Sequence, residues 1–161
     1  MWAEPMRRSE REITDKDELF EILSGCQVIR LALFDKEYPY IVPLSFGLER
    51  KGEEITVFFH CANEGKKADL LKENDSVCIE ADCFGGYFGE GMNLTTAYKS
   101  VIGYGNCKKC EGEEKLRGLE LLLSHCKGEA DRSVLSKCAA LDVTAVYKIT
   151  LDELTGKKNI L

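Results

Sequence analysis

Hydrophobic positions along this chain occur in short runs whose spacing alternates between three or four residues and two, the mark of helices set among strands. Asp15 and Glu18 stand at capping-box spacing, Leu19, Ile22 and Leu23 share one helical face, and Gly25 supplies a stop, so the first element reads as a short helix. Residues 27–34 then read as an apolar strand, 35–37 as a polar turn, and 38–48 as the returning strand. Pro39 and Pro43 put that return at an edge or an irregularity. A second polar turn over 48–53 precedes the β-branched and aromatic run Ile55-Thr56-Val57-Phe58-Phe59-His60, which predicts a three-stranded meander.

Further on, Ala68, Leu70 and Leu71 among charges indicate a short helix over 65–73, and strands follow at 77–83 and 98–105. Between those strands, 84–91 holds four glycines in eight residues and reads as a mobile loop that could lie over a ligand with Tyr87 or Phe88. A leucine-rich helix is expected over 113–124 and a closing strand over 143–149. No strand-helix-strand alternation appears. The expected fold is therefore all-β: a six-stranded antiparallel barrel with short helices, in a single domain over 1–161 whose first twelve residues are a charged leader.

Composition narrows the function. With 161 residues, 44% hydrophobic, the chain can bury one core. Its net charge of −6 disfavours a nucleic-acid partner, and no segment resembles a membrane span or a signal peptide, so a cytoplasmic protein is expected. The eight cysteines (26, 61, 78, 83, 107, 110, 126 and 138) accompany too much apolar sequence for a disulfide scaffold and read as reduced thiols.

The chemistry concentrates where a strand hands over to a helix, at Phe59-His60-Cys61-Ala62-Asn63-Glu64-Gly65-Lys66-Lys67. Free N–H groups and the positive end of a helix dipole favour an anion there, and two lysines in the first turn are otherwise misplaced. A bound phosphate resolves that conflict, although the segment lacks the nucleotide-triphosphate loop pattern; solvated lysines on an exposed helix are the plain alternative. His60, ending an apolar strand, is a candidate proton donor or else a structural residue. Cys107-Lys108-Lys109-Cys110 with His125-Cys126 supplies four soft ligands on paper, so a zinc-stabilised binding module or a redox dithiol stands as an alternative.

Three ordered motifs, residues 39–47 (PYIVPLSFG), Phe59-His60-Cys61-Ala62 with Gly65-Lys66-Lys67, and residues 98–105 (YKSVIGYG), resemble those of the FMN-binding split-barrel proteins. The branch they look most like is related to pyridoxamine 5′-phosphate oxidase and includes the nitroimidazole-resistance (Nim) proteins. The resemblance runs from about Arg8 to Thr155-Gly156-Lys157. It implies a homodimer of split barrels with FMN at the subunit interface. Val42, Pro43, Leu44 and Ser45 would then line the flavin ring, with His60, Cys61 and Ala62 flanking it. Lys66 and Lys67 would hold the phosphate, and Tyr98, Ser100 and Val101 would approach from the neighbouring strand, across the interface. His60 would be the catalytic proton donor. The implied activity is FMN-dependent reduction of a small-molecule electron acceptor, nitroaromatic or quinone-like, with NAD(P)H as a candidate donor. A non-catalytic flavin- or haem-binding protein on the same barrel is the alternative. True pyridoxamine 5′-phosphate oxidases resemble one another in an Arg-rich C-terminal segment, whereas this chain ends Leu151-Asp152-Glu153-Leu154-Thr155-Gly156-Lys157-Lys158 and has Trp2 as its only tryptophan. Vitamin B6 oxidation is therefore doubtful.

Overall fold

The computed structural model describes residues 6–129, 131–137 and 139–160; Trp2, the start of the charged leader and Cys138 lie outside them. Eight strands and four α-helices follow in the order β1 (Glu12–Ile13), α1 (Lys16–Gly25), β2 (Ile29–Leu33), β3 (Tyr40–Leu44), β4 (Gly47–Lys51), β5 (Glu54–Ala62), α2 (Lys66–Glu73), β6 (Ser76–Phe88), β7 (Thr95–Cys110), α3 (Gly112–Lys127), α4 (Arg132–Leu135) and β8 (Thr144–Asn159). The helix-start signal holds, since the Asp15 side chain accepts from Asp17 N–H at 2.8 Å. Glu18, however, reaches not back to the cap but across to Lys158 Nζ at 2.7 Å, fastening α1 to β8.

All strand pairs are antiparallel, and the hydrogen-bonded path runs β3-β2-β6-β7-β8-β5-β4, with β1 added to β8. The barrel is as expected; its strands number eight rather than six. The predicted meander is corrected. The expected return strand over 38–48 is two strands, β3 and β4, which sit at opposite ends of the path, while β5 joins β4 and β8. Only Ser45 and Phe46 separate β3 from β4, and three peptide steps reach at most about 11 Å. The sheet must therefore roll until its two edges nearly meet, leaving a seam. Pro43 falls on edge strand β3, where its missing N–H costs least.

Other boundaries move for similar reasons. Residues 48–51 belong to β4, and the turn tightens to Gly52 at φ +62°. The glycine-rich segment expected as a loop mostly extends β6 to Phe88, with its register broken between Phe84 and Gly86. Pairing to the long β7 overrides the glycines' weak strand preference.

Inside the barrel, Ile29, Leu31, Val57, Phe59, Ile79, Val101 and Ile149 pack with Leu19, Ile22 and Leu23 of α1. A smaller core of Phe58, Cys110 and Val146 lies outside, beneath α3. No helix among the described residues is long and apolar enough to cross a membrane.

Candidate functional site

The seam is closed along half its length and open along the other. In the closed half α3 lies against β4, so close that a Cβ on Gly47 would stand 2.5 Å from the Leu122 backbone nitrogen. Phe46 is fully buried, its ring edge-on to His125 with centroids 4.3 Å apart. The His125 ring sets Nδ1 2.7 Å from the Phe46 carbonyl oxygen and Nε2 3.0 Å from that of Ser24. Glu49 of β4 takes Arg117 of α3 at 3.0 Å, and Lys51 first, then Arg117, hold its carboxyl below the ordinary carboxylate range against the opposing effect of burial.

The open half begins where this ladder stops. β4 pairs with β5 only from Glu54 to Phe58; beyond Phe58, β5 runs on to Ala62 with β8 on one side and no strand on the other. β3 meanwhile turns away to pair with β2, so its outer edge is also free. Val42, Pro43, Leu44 and Ser45 therefore lie on or beside one free strand edge and His60, Cys61 and Ala62 on the other, and main-chain groups there without a strand partner among the described residues suit hydrogen bonds to a flat ligand. Val42 and Leu44 are half-buried against the core, whereas Pro43 and Ser45 are exposed.

Alternation along β5 gives these residues different outlooks. Phe59 and Cys61 point to the barrel interior, and His60 emerges with Phe58 on the outer side, exposed to solvent. At the end of the cleft, α2 starts at Gly65, whose φ of +120° suits glycine, and no side chain caps the helix N-terminus. Lys66 Nζ lies 2.5 Å from Asp35 and 4.8 Å from the centroid of the Tyr40 ring; Lys67 Nζ lies 5.5 Å from the centroid of the buried Phe59 ring. Asp35 and Tyr40, which the sequence reading passed over as turn and strand residues, thus position Lys66. Only their contacts in space mark them. Burial raises the Cys61 thiol above its ordinary value, and Lys67 and Lys109 oppose that rise.

Tyr98, Ser100 and Val101 sit elsewhere. They lie on β7, opposite Phe84, Asp82 and Ala81, at the far end of β2 from Asp35. Seven residues of extended chain put them roughly 20 Å along the sheet from the lysines. Val101 is 1% exposed and its side chain belongs to the core, whereas Tyr98 and Ser100 are half-buried.

The metal alternative finds no support among the described residues, where no group of three or more candidate ligands gathers. Cys107 points into the barrel core and Cys110 into the cluster under α3, because positions three apart on a strand face opposite sides. Both thiols are pushed up to about 12, mainly by burial, and cannot pair as a dithiol in this fold. His125 is committed to the seam.

A family model described as pyridoxamine 5′-phosphate oxidase matches residues 15–158, spanning the seam, both lysines and β7. The chain belongs to that family. Among solved structures, a protein assigned as a 5-nitroimidazole antibiotic resistance protein from Bacteroides thetaiotaomicron superposes with a TM-score of 0.77 at 25% identity, over 91% of this chain and 85% of that one. The flavocytochrome Anf3 from Azotobacter vinelandii gives 0.76 at 17%, over 96% and 72%. An FAD- and heme-binding protein from Mycobacterium smegmatis gives 0.73 at 16%, over 92% and 73%. The latter two share the fold with this member of the oxidase family. No curated protein matches the chain significantly.

Proposed function

We propose that this protein is an FMN-dependent oxidoreductase that reduces nitroaromatic or quinone-like acceptors, with NAD(P)H as the hydride donor. The observation that carries the reading is the open seam: two free strand edges converging on an uncapped helix start with two lysines. Those residues fit a flavin mononucleotide. The uncapped N–H groups of α2, with Lys66 and Lys67, suit its phosphate, and the main-chain groups of Val42–Ser45 and His60–Ala62 suit the polar edge of its ring. When bound, the flavin supplies the hydride and electron chemistry. The chain's own residues bind and orient it: Val42 and Leu44 exclude water from one side of the cleft, and His60, exposed at its rim, gives a proton to the acceptor. Nitroaromatic substrates are favoured by the likeness to the Bacteroides protein and by the acidic C-terminal stretch Asp152-Glu153, where vitamin B6 phosphate binding would call for arginines.

The working unit in this proposal is a homodimer. The outer face of β2, β3, β6 and β7 exposes Ile41, Ile102 and Tyr104, with Phe34 and Phe84 near its ends and the ion-paired Arg30, Glu80 and Asp82 between them, a mixed apolar and charged surface of the kind that suits a partner. A second copy docked there by two-fold symmetry covers it and brings its own Tyr98 and Ser100 to the first copy's seam, completing a site that each chain holds only in part. The seven described cysteines are free thiols, which suits a reducing cytoplasm.

The experiment is a visible spectrum of the purified protein with its native mass, followed by NADPH-driven reduction of a nitroimidazole. A flavin spectrum, a dimer mass and turnover are expected. A dimer whose bound flavin stays oxidised with NADPH and acceptor would instead mark a binding protein.

A further inference from the structure

Outside the seam, two cysteines from distant parts of the chain meet. Cys26 caps the C-terminal end of α1 and is 3% exposed; Cys83 lies midway along β6 and is open to solvent. Their sulfurs are 3.5 Å apart. The Cys26 thiol donates to the Ile22 carbonyl at 3.2 Å, which leaves the sulfur's lone pairs free toward Cys83. A disulfide needs a sulfur separation of about 2.05 Å, so the pair must close by roughly 1.5 Å. Cys26 lies just past the last helical residue, outside any strand ladder, and Cys83, paired with Lys99, stands one residue before the register break between Phe84 and Gly86.

We propose that Cys26 and Cys83 form a reversible disulfide when the protein meets hydrogen peroxide, with Cys83 as the thiol attacked first and Cys26 as the resolving thiol. Accessibility sets the order. Cys83 opens onto a surface hollow with Asp15, Asp17, Glu18, Glu21 and Lys99, where a small oxidant reaches its sulfur from solvent. Burial, with the added influence of Cys83, Asp82 and Glu80, pushes Cys26 up to about 12, so it waits as the thiol.

In the first step the Cys83 sulfur attacks one peroxide oxygen. The O–O bond breaks, a sulfenic acid forms, and the other oxygen leaves as water with the thiol proton. In the second, the Cys26 sulfur attacks the Cys83 sulfur. The S–S bond forms, the S–O bond breaks, and hydroxide leaves with the Cys26 proton as a second water. Two thiols lose two electrons and one peroxide gains them. An added dithiol reverses the bond by exchange. Among the described residues no other two cysteine sulfurs lie within hydrogen-bonding reach of each other, which makes this pair selective.

The test is non-reducing peptide mapping of the whole protein after treatment with stoichiometric hydrogen peroxide, alongside its thermal melt. A peptide pair bridging Cys26 and Cys83 is expected, released by dithiothreitol, together with a rise in Tm of about 5 °C as the crosslink closes the 26–83 loop. In C83S the rise should vanish, and in C26S a dimedone-reactive sulfenic acid should accumulate at Cys83. Should C26S fail to fold, the exposed-site variant C83S still decides through the melt. A wild-type protein in which Cys83 stays dimedone-reactive, goes on to sulfinic acid, or bridges to another cysteine would overturn the proposal.

Discussion

The two halves of the seam are made by the same chain passing the same gap, yet they end in opposite conditions. Around Phe46 and Gly47 a helix presses on the strand, a histidine ring spans two carbonyls, and an arginine neutralises a largely buried glutamate. Around Val42–Ser45 and His60–Ala62 no strand among the described residues pairs with the free edges, and a helix start waits uncapped. Binding surfaces come from places where a fold leaves polar groups unsatisfied, and a rigid closed half is what holds the open half at a fixed width. Substitutions in the first half should cost stability; those in the second should cost ligand.

The sharpest way to break this division is Gly47→Val. Its side chain must displace the α3 backbone at Leu121 and Leu122, so a loss of about 3 kcal/mol in denaturant unfolding is expected. Wild-type stability in that variant would mean α3 does not seal the seam. Next, His125→Ala removes the ring set between two carbonyl oxygens and opens a gap beside Phe46; about 2 kcal/mol is the expected cost, read by the same unfolding curves.

The open half predicts a contrary pattern. Replacing Lys66 and Lys67 together with glutamate places acids at a helix start, which the dipole favours, but loses the Lys66–Asp35 ion pair, so the two effects should leave stability within about 0.5 kcal/mol of wild type. Flavin affinity should fall at least about tenfold, close to 1.4 kcal/mol, in equilibrium titration. Unchanged affinity would remove the lysine cradle from the site. Smallest is Arg117→Ala, expected to cost about 0.5 kcal/mol at neutral pH because the pair is partly exposed. Glu49 is more acidic in the folded chain than in the unfolded one, so the stability it contributes is present above the unfolded value and lost as pH falls through the folded one. The difference between Arg117→Ala and wild type should therefore shrink as pH falls below the ordinary carboxylate range. A gap that persists at low pH would mean Arg117 acts through packing alone.

Local signals in the sequence were enough for several elements and for one end of the site. Asp15 announced α1, the β-branched run at 55–60 announced β5, and Gly65-Lys66-Lys67 announced a helix start with an electrostatic conflict, because caps, periodicity and dipoles act within a turn or two. The split of 38–48 into two strands was not legible. Its residues suit an extended chain throughout, and what parts them is the choice of β2 as a partner for Val42 and β5 for Leu48. The sequence spacing also joined Cys107 to Cys110 as a pair, whereas the strand sends them to opposite faces. Cys26 and Cys83, 57 residues apart, gave no local sign of meeting.

By itself, then, the order of residues determined which segments are extended or helical, where a phosphate-like anion would be welcome, and to which family the motifs point. Only the rolled sheet decided that β3 and β4 part company at Ser45 and Phe46, that the gap between them is sealed on one side and free on the other, and that Tyr98 and Ser100 stand far from Lys66 within one chain. The physical reason is range. Propensity and capping are settled by neighbours in sequence, while strand partnership and the accessibility of an edge depend on where distant segments come to rest when the core closes.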